Sequence, residues 1–466
     1  MTLTAVALND ASTELVRDRT QWFWCGLLTL AGSVIGLAGV QYFLPASFDN
    51  PPGVSHTGLL YFRQSITPAE LTAMSPAAFA WAFRLLLAAA WVGYGTMLVA
   101  GYRSATDLGR FTVPVVGGMA IGVAILFPPS LSSDIYAYAG WGRMLVMHGW
   151  SPYAHTLASL ADINDPAGLI APVAATSTHG PVWIALVSAA VALLSGVDLW
   201  WQILALKVVA ALALVAAAVG AREIARSYDL GRSNLTALAI GLNPLFLIEG
   251  PGNGHNDVLM IALMLAGIAL CQKERPRAGY LLVGLSIGIK FVSAAIVPWL
   301  ILEQIRRHRR EPWLAPVVLA VVLSLTPTVL GYLAFSAQTN PLAGIGTVFA
   351  RQVGAVETTA AVAAGTNQST SSRSGALPRA SLLLAVYAAL TLMVWRSAVP
   401  GRYLSCWALF SLTLVVIGAP VPFAWYMIWP FSVAVLRWDK YARVVTATCV
   451  VLSVFLLAQY TLLYAR

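Results

Sequence analysis

The sequence predicts an all-α polytopic membrane protein with about thirteen transmembrane helices, and its composition and apolar runs both point to this class. Of its 466 residues, 59% are hydrophobic and only 10% are charged. Soluble domains carry about 25% charged residues, because their surface meets water. Apolar runs that approach the roughly twenty residues needed to cross a bilayer recur along the chain. The longest polar stretch, 129–180, is interpreted as a loop, so we predict no separate soluble domain.

A polar N-terminal tail precedes the first apolar run. That run, from Trp22 to Leu44, is longer than the core of a signal peptide, so we predict a retained first helix. Several later runs are short, especially the pair on either side of Lys290. The predicted spans are 22–44, 80–101, 112–128, 201–221, 234–249, 256–271, 278–290, 291–305, 313–335, 380–397, 403–419, 423–437 and 443–464.

Positive charges set the predicted orientation, because Lys and Arg concentrate in cytoplasmic loops. With the N-terminus in the cytoplasm, nineteen of the 28 basic residues fall on that side. A net charge of +9 that is distributed in this way indicates topology and does not predict a nucleic-acid partner. The nineteen residues are Arg17, Arg19, Arg103, Arg110, Arg222, Arg226, Arg232, Lys273, Arg275, Arg277, Arg306, Arg307, Arg309, Arg310, Arg396, Arg402, Arg437, Lys440 and Arg443.

Two segments are predicted to depart from simple membrane crossings. If 181–196 crossed the membrane, the basic residues that follow span 201–221 would fall outside, so we interpret it as a re-entrant or interface-lying helix. Basic clusters flank 278–305, so the chain must go out and return. We therefore predict two half-spans that meet near Lys290. A single helix over the same residues would place its two basic ends on opposite faces.

Four segments then face outward, namely 45–79, 129–180, 250–256 and 336–379. The last is rich in Ala, Gly, Ser and Thr, and is either a lid over a site or a loosely ordered loop. The four cysteines lie in or beside apolar runs without paired spacing, which predicts neither a disulfide framework nor a zinc site.

Asp134 is the first candidate functional residue, because ionisable groups near a membrane carry a functional hypothesis by default. If 133–149 is a helix, its period of about 100° per residue places Tyr138, Trp141 and His148 within about 40° of Asp134. An aromatic face with one carboxylate suits a sugar held by stacking and a base that accepts a hydroxyl proton. The alternative is an interfacial helix whose aromatic residues lie at headgroup level.

A second cluster runs from Glu249 to Asp257 in the sequence EGPGNGHND and opens the predicted helix 256–271. Glycines let the backbone approach a ligand, and a helix N-terminus attracts anions such as phosphate. His255 adds a possible donor. The alternative is a tight turn with Asp257 in the first helical turn, where acids are favoured.

Lys290 is the third element, because a lysine where two half-helices meet can hold a phosphate as a point charge. The alternative is an ordinary lysine whose ammonium group reaches the interface. Pro181 occupies a favoured first helical position, and His179 just before it either reaches the same cavity or lies exposed in a loop.

Several of these residues stand in motifs that resemble the polyprenyl-phosphate-dependent mannosyltransferases of the GT-C fold. Asp134 after a span is followed by Gly149-Trp150-Ser151-Pro152-Tyr153 and then His179-Gly180-Pro181. The late run PFAWYMIWP, 422–430, is similar to a W-Y-x-x-W-x-x-P pattern of that group. Asn243-Pro244, Gly254-His255-Asn256-Asp257 and Gly288-Ile289-Lys290 also resemble its recurring pieces. The resemblance extends over about 112–437. Within that group, the sequence resembles the bacterial α-1,6-mannosyltransferases of lipomannan assembly and the enzyme that adds the first mannose to the GPI precursor.

The resemblance implies a GT-C-like bundle in three parts, with outward-facing interfacial and re-entrant helices. These are an N-terminal addition of a tail and two helices (1–111), a catalytic module with outward loops 129–180 and 250–256 (112–311), and C-terminal helices with outward loop 336–379 (312–466). His179 stands where an aromatic residue is common in that group. A second acid present in some members is missing beside Asp134, which leaves open whether a divalent metal is needed.

The resemblance also implies a mechanism and its participants. Asp134 is the expected general base of an inverting transfer from a polyprenyl-phosphate sugar, most simply mannose, to a glycan or glycolipid acceptor. The expected donor-phosphate ligands are Lys290, His255 and Asn256. The expected substrate-binding residues are Tyr138, Trp141, His179, Asp257, Trp425 and Tyr426, although Trp425 and Tyr426 also suit an aromatic belt at the interface.

The expected location is a bacterial plasma membrane, with the N-terminus in the cytoplasm and the active site on the extracytoplasmic face. Two alternatives stay open. The same scaffold could transfer glucose, galactose or arabinofuranose, or the chain could be a flippase or transporter of a lipid-linked sugar. A transporter is expected to show related halves, and no such repeat is evident in the sequence.

Overall fold

The computed structural model describes residues 2–43, 74–103, 109–129, 131–170, 176–308, 312–335, 373–419, 422–437 and 439–463. All regular structure in these ranges is helical, which confirms the predicted class of an all-α polytopic membrane protein. The predicted outward loop 336–379 lies outside the described residues up to 372, and so does most of 45–79.

The helices begin and end at the following residues. They are α1 Thr2–Gln41, α2 Pro76–Arg103, α3 Gly109–Leu126, α4 Asp134–His148, α5 Ala158–Ala161, α6 Pro166–Ile170, α7 Pro181–Leu193, α8 Leu199–Arg226, α9 Ser233–Gly241, α10 Pro244–Leu247, α11 Asp257–Gln272, α12 Pro276–Ile289, α13 Val297–Arg307, α14 Leu314–Phe335, α15 Arg373–Arg396, α16 Arg402–Thr413, α17 Ile428–Ala434 and α18 Lys440–Leu463.

Within the described residues, six helices are long and apolar enough to cross a membrane, by length and composition. A bent pair, Leu230–Gly241 with Pro244–Gly252, meets the same test as one span broken by 47°. Five shorter apolar helices accompany them: Phe111–Leu126, Pro181–Leu193, Asp257–Gln272, Pro276–Ile289 and Arg402–Gly418. The figure of thirteen crossings stays a prediction.

The predicted helix break near Lys290 is confirmed. Helix α12 ends at Ile289, and Lys290 adopts extended backbone angles of φ −151° and ψ 122°. A 3₁₀ turn over Phe291–Ile296 then leads into α13. The chain therefore resumes a helical path only after the lysine.

Helix α7 contains thirteen residues, which corresponds to about 20 Å at 1.5 Å per residue. The hydrocarbon core of a bilayer is about 30 Å thick. This length agrees with the interpretation of 181–196 as a helix that does not cross, and its re-entrant or interfacial placement stays a prediction.

Small residues bring the central helices close together. A Cβ atom at Gly267 of α11 would lie 2.6 Å from the carbonyl oxygen of Gly279 in α12. A Cβ atom at Gly284 of α12 would lie 2.6 Å from the carbonyl oxygen of Leu323 in α14. Close backbone approach at small residues is how membrane helices gain packing energy. This packing fixes the antiparallel pair α11–α12, so the start of α11 and the end of α12 lie at the same end of the bundle.

The opposite end of the same pair is basic. Lys273, just after α11, forms an ion pair of 2.6 Å with Glu223 of α8. Arg307, the last residue of α13, lies 3.9 Å from Glu274. Because α11 has sixteen residues, this basic end lies about 24 Å along the helix from its first residue, Asp257.

Candidate active site

Helix α4 places Asp134 at its first position, where a carboxylate is favoured by the partial positive charge of the helix N-terminus. The Asp134 backbone N–H donates to Ser132 Oγ at 3.2 Å. One turn later the buried Tyr138 hydroxyl lies 3.5 Å from Asp134 Oδ2. The Asp134 side chain is 38% exposed, so a substrate can reach it.

A glycine turn brings His255 against Asp134. Gly254 has a φ of +75°, and a Cβ atom there would collide with the Ile135 side chain. Only glycine satisfies both conditions. His255 Nδ1 then lies 3.4 Å from Asp134 Oδ2, and its Nε2 lies 3.2 Å from Glu249 Oε2. The side chains of His255 and Glu249 are fully buried, at 0% exposure.

Glu249 belongs to a π-helical turn over Ile248–Gly252 that contains Pro251. Such turns occur frequently at functional sites. Asn253 Nδ2 donates to Glu249 Oε2 at 3.3 Å, and its Oδ1 accepts from the Leu131 backbone N–H at 3.3 Å. Asn253 therefore ties the Glu249 carboxylate to the chain just before Asp134.

The two carboxylates hold His255 in its charged form. Burial alone lowers the pKa of His255, but the contacts with Asp134 and Glu249 outweigh it and raise the pKa to about 9. Burial also acts to raise the pKa of Asp134, while the contact with His255 and its positive charge, with further help from Lys290, bring that pKa below its usual value. At neutral pH the imidazolium therefore lies between two carboxylates.

A second ion pair lies at the start of α11. Lys290 Nζ donates to Asp257 Oδ1 at 2.8 Å, and Trp429 Nε1 donates to the same oxygen at 2.5 Å. The ammonium group of Lys290 also lies 5.3 Å from the ring centroids of Tyr426 and Trp429. The Lys290 side chain is 14% exposed, whereas Asp257 is fully buried. Lys290 is thus the cation of this pair that a ligand can approach.

The 3₁₀ turn Ala424–Met427 carries Trp425 onto the face of His255, with ring centroids 4.1 Å apart and planes inclined by 22°. Trp425 and Trp429 are both buried. They therefore pack against the charged residues of the site, in contrast to the alternative of an aromatic belt at headgroup level.

His179, two residues before α7, lies beside Tyr138 and Trp141 of α4. The Gly180 N–H donates to the Ile289 carbonyl oxygen at 3.1 Å, and a Cβ atom at Gly180 would collide with the Gly288 backbone. The rings of Tyr138 and Trp141 each lie 5.1 Å from the His179 ring. Desolvation, reinforced by the charge of Lys290, lowers the pKa of His179 to about 4, so its imidazole is neutral at pH 7.

Several buried polar atoms around these rings lack a hydrogen-bond partner in the described part of the chain. Buried polar groups are nearly always hydrogen-bonded in proteins, so such a concentration indicates a ligand-binding surface. These atoms are Oδ1 and Nδ2 of Asn256, Oδ2 of Asp257, Nδ1 of His179 and Nε1 of Trp141.

The structure therefore brings together all ten residues that the sequence singled out for catalysis, donor phosphate or substrate. His148 shares the helical face of Asp134 by angle, but it lies at the far end of α4 and contacts Asp165 at 3.3 Å. Arg143, nine residues after Asp134 in α4, pairs with Asp165 at 2.9 Å.

Sequence reasoning included Glu249 in the polar cluster 249–257 but predicted no contact between it and His255. The π-helical turn carries it back to His255, and neither helical nor extended spacing predicts that contact. Among the described residues, no group of three or more His, Cys, Asp or Glu side chains is placed to hold a metal ion. Each carboxylate of the site faces a cation instead, so these residues do not fit the divalent metal considered from the sequence.

Comparisons with known proteins show the family of this chain. Residues 33–306 match the family model described as "Alpha-(1->6)-mannopyranosyltransferase, N-terminal domain". The chain is 29% identical over 367 residues to alpha-(1->6)-mannopyranosyltransferase A of Mycobacterium tuberculosis, covering 74% of this chain and 68% of that protein. It is 26% identical over 293 residues to the protein of the same name from Corynebacterium glutamicum, covering 60% of this chain and about half (52%) of that relative.

No solved structure matches the chain. The family match covers more than half of the sequence and contains eight of the ten residues singled out from the sequence; Trp425 and Tyr426 lie beyond it. The chain therefore belongs to the alpha-(1->6)-mannopyranosyltransferase family, and it is a membrane-embedded glycosyltransferase.

Proposed function

We propose that this protein transfers mannose from a polyprenyl-phosphate donor to a glycolipid or polysaccharide acceptor, with inversion at the anomeric carbon. The observation that carries the proposal is the partly exposed Asp134 carboxylate in contact with the buried His255, two residues before Asp257. Asp257 in turn forms an ion pair with the partly exposed Lys290, a cation that suits a phosphate. A base and a cation at one site are the two groups that such a transfer needs.

Asp134 is the proposed general base. As the acceptor hydroxyl attacks the anomeric carbon, its proton passes to the Asp134 carboxylate. The bond between that carbon and the phosphate oxygen breaks, and its electron pair leaves with the polyprenyl phosphate. Attack on the face opposite the leaving group gives inversion. The lowered pKa of Asp134 keeps it ionised, and so able to accept the proton, at neutral pH.

Lys290 and Asn256 are the proposed ligands of the phosphate. Lys290 combines charge with partial exposure, and the Asn256 amide is buried without a partner in the described residues. Asn256 immediately precedes α11, and Lys290, just after α12, contacts Asp257, the first residue of α11. Backbone N–H groups and the helix dipole favour an anion at such a helix start. Each ring nitrogen of His255 lies within 3.4 Å of a carboxylate oxygen, so in this proposal His255 acts on Asp134 and not on the phosphate.

The sugar is proposed to bind between Tyr138, Trp141 and His179 on one side and Trp425 and Tyr426 on the other. Aromatic rings present apolar faces to the C–H groups of a hexose. Sugar hydroxyls would satisfy the unpartnered Nδ1 of His179 and Nε1 of Trp141. Oδ2 of Asp257 would accept from a further hydroxyl.

The site is proposed to face the extracytoplasmic side of a bacterial plasma membrane, with the N-terminus in the cytoplasm. The basic clusters around Lys273 and Arg307 lie at the far end of α11 and α13 from the site. Because basic loops remain in the cytoplasm, this separation favours an external site. A donor on a polyprenyl chain would reach it from within the bilayer.

The test is transfer of radiolabelled mannose from polyprenyl-phosphate-mannose in membranes that contain the protein and a mannan-type glycolipid acceptor. We expect Asp134→Asn to lower the rate by about 10²–10⁴-fold. Glu223→Gln is the matched control, because Glu223 is a carboxylate at the basic end, and its rate should equal that of the wild type.

Equal rates in Asp134→Asn and wild-type membranes, at equal protein levels, would exclude Asp134 as the base. If the wild type uses only a glucose, galactose or arabinofuranose donor, the sugar assignment is wrong and the scaffold assignment stands. If no donor is used, but labelled lipid-linked sugar changes leaflet in vesicles that contain the protein, the chain is a transporter.

A further inference from the structure

We infer that Glu249 is a positioning residue that balances the charge of His255, so that Asp134 is both held in place and left basic. This inference rests on the proposed role of Asp134 and adds a residue that touches neither substrate nor phosphate. It assigns a chemical purpose to a carboxylate that is completely buried and lies behind the imidazole.

The three side chains form a row in which His255 separates the two carboxylates by 3.4 Å on one side and 3.2 Å on the other. Trp425 covers one face of the imidazole, and Asn253 donates a hydrogen bond of 3.3 Å to the buried Glu249 carboxylate. Only Asp134, at 38% exposure, is open to a substrate. The row therefore has one reactive end and one buried end.

Charge accounting explains why both carboxylates are present. An imidazolium paired with Asp134 alone would cancel its charge and weaken it as a base, because a neighbouring positive charge stabilises the ionised form. With Glu249 also ionised, the row of three side chains carries a net charge of −1, so Glu249 offsets part of the effect of the imidazolium on Asp134. Without the imidazolium, the Asp134 carboxylate and the buried Glu249 carboxylate would repel each other, so the arrangement requires a protonated His255.

The other charged groups that face this row do not replace Glu249. Lys290 at the end of α12 is paired with Asp257 of α11, so the two charges offset each other. His179 at the start of α7 is neutral at pH 7, because its pKa is lowered to about 4. Glu249 thus supplies the compensating charge for His255.

This arrangement makes a prediction about pH. The imidazolium is present below its pKa of about 9 and is lost as the pH rises through that value. Glu249→Gln removes one of the two charges that raise this pKa. Loss of an adjacent opposite charge shifts a pKa by about 1–3 units, so the alkaline limb of kcat should move to lower pH by about that amount.

The first experiment compares kcat and KM for polyprenyl-phosphate-mannose across the pH range in wild type, Glu249→Gln and the control Glu223→Gln. We expect Glu249→Gln to lower kcat by about tenfold or more, to shift the alkaline limb downward and to leave KM for the donor unchanged. A purely structural role for Glu249 would reduce the amount of active protein without moving the limb. A limb that coincides with that of Glu223→Gln would overturn the inference.

A second measurement depends neither on the Glu249→Gln variant nor on enzymatic activity. In ¹⁵N-histidine-labelled wild-type protein in detergent, the His255 signals are assigned by their loss in His255→Gln. We expect both ring nitrogens to be protonated at pH 7, and we expect the imidazolium to lose one proton near pH 9. A neutral His255 at pH 7 would overturn the inference even if Glu249→Gln fails to insert. If the wild type transfers no mannose, the proposed function fails, and this titration still tests the charge arrangement.

Discussion

The two ends of the α11–α12 pair carry the same kinds of charged side chain in opposite settings. At the basic end, Lys273 is 54% exposed and its partner Glu223 is 22% exposed. At the site end, Lys290 is 14% exposed and its partner Asp257 is fully buried. The pairs have nearly equal distances, 2.6 and 2.8 Å, so burial is what distinguishes them.

Burial decides what an ion pair does. An exposed pair contributes about 0–1 kcal/mol, because water screens both charges. A buried pair holds charges that water would otherwise solvate, so each partner depends strongly on the other and acts strongly on a ligand that enters. The exposed pairs at the basic end thus contribute little energy, whereas the buried pairs at the site end hold charges that depend strongly on each other.

The largest expected difference between the two ends is their accessibility from outside the cell. Single cysteines at Thr178, near the site, and at Glu274, at the basic end, replace exposed residues. They are introduced with Cys25→Ser, because Cys25 is the exposed native cysteine among those described. In intact cells, an impermeant maleimide should label Thr178→Cys fully and Glu274→Cys only after the membrane is opened. The reverse pattern would place the site in the cytoplasm.

The next largest effect is expected from removing one lysine at each end. Lys290→Gln should lower kcat by about 10²–10³-fold, because it removes a cation from the developing charge on the phosphate. Lys273→Gln should leave kcat within about twofold, since its pair is exposed. Both rates are measured with the mannose-transfer assay at equal protein levels.

Lys290 also neutralises the buried Asp257, so its loss can destabilise the protein by about 3–5 kcal/mol. The double variant Lys290→Gln with Asp257→Asn removes both charges and separates these effects. Wild-type kcat in a well-inserted double variant would show that Lys290 does not act on the phosphate.

The smallest expected effect concerns the turn that aligns the site. Gly254→Ala should lower the free energy of unfolding by about 1–2 kcal/mol for the left-handed backbone alone, with an added cost from the collision with Ile135. Gly149→Ala is the matched control, because Gly149 has a φ of +66° and no atom within 4 Å of an added Cβ. Thermal unfolding in detergent measures both. Equal losses would show that Ile135 yields and that the contact does not fix His255.

Much of this organisation was predicted from sequence because it depends on local patterns. The interruption of the helix at Lys290 was predicted from the basic clusters on both flanks of one apolar run. The face that Asp134 shares with Tyr138 and Trp141 followed from helical periodicity. The grouping of His179, His255 and Lys290 at one end was predicted from topology, because all three lie in or beside segments predicted to face outward.

What the sequence could not give are contacts between residues brought together by close helix approach. The pairing of Lys290 with Asp257 depends on the crossing of α11 and α12 at Gly267 and Gly279. The burial of Trp425 against His255 depends on a turn distant in the chain. Sequence reasoning accordingly assigned His255 to the phosphate, whereas both of its ring nitrogens face carboxylates.

The sequence by itself determined the class of molecule, and it singled out ten residues that the structure brings close together. Composition, charge bias and motif order are one-dimensional properties, so one chain suffices to read them. The tertiary structure alone decided which side chains are in contact. It therefore decided that His255 lies between Asp134 and Glu249. Burial and pairing depend on three-dimensional distances, and electrostatic energies depend on both.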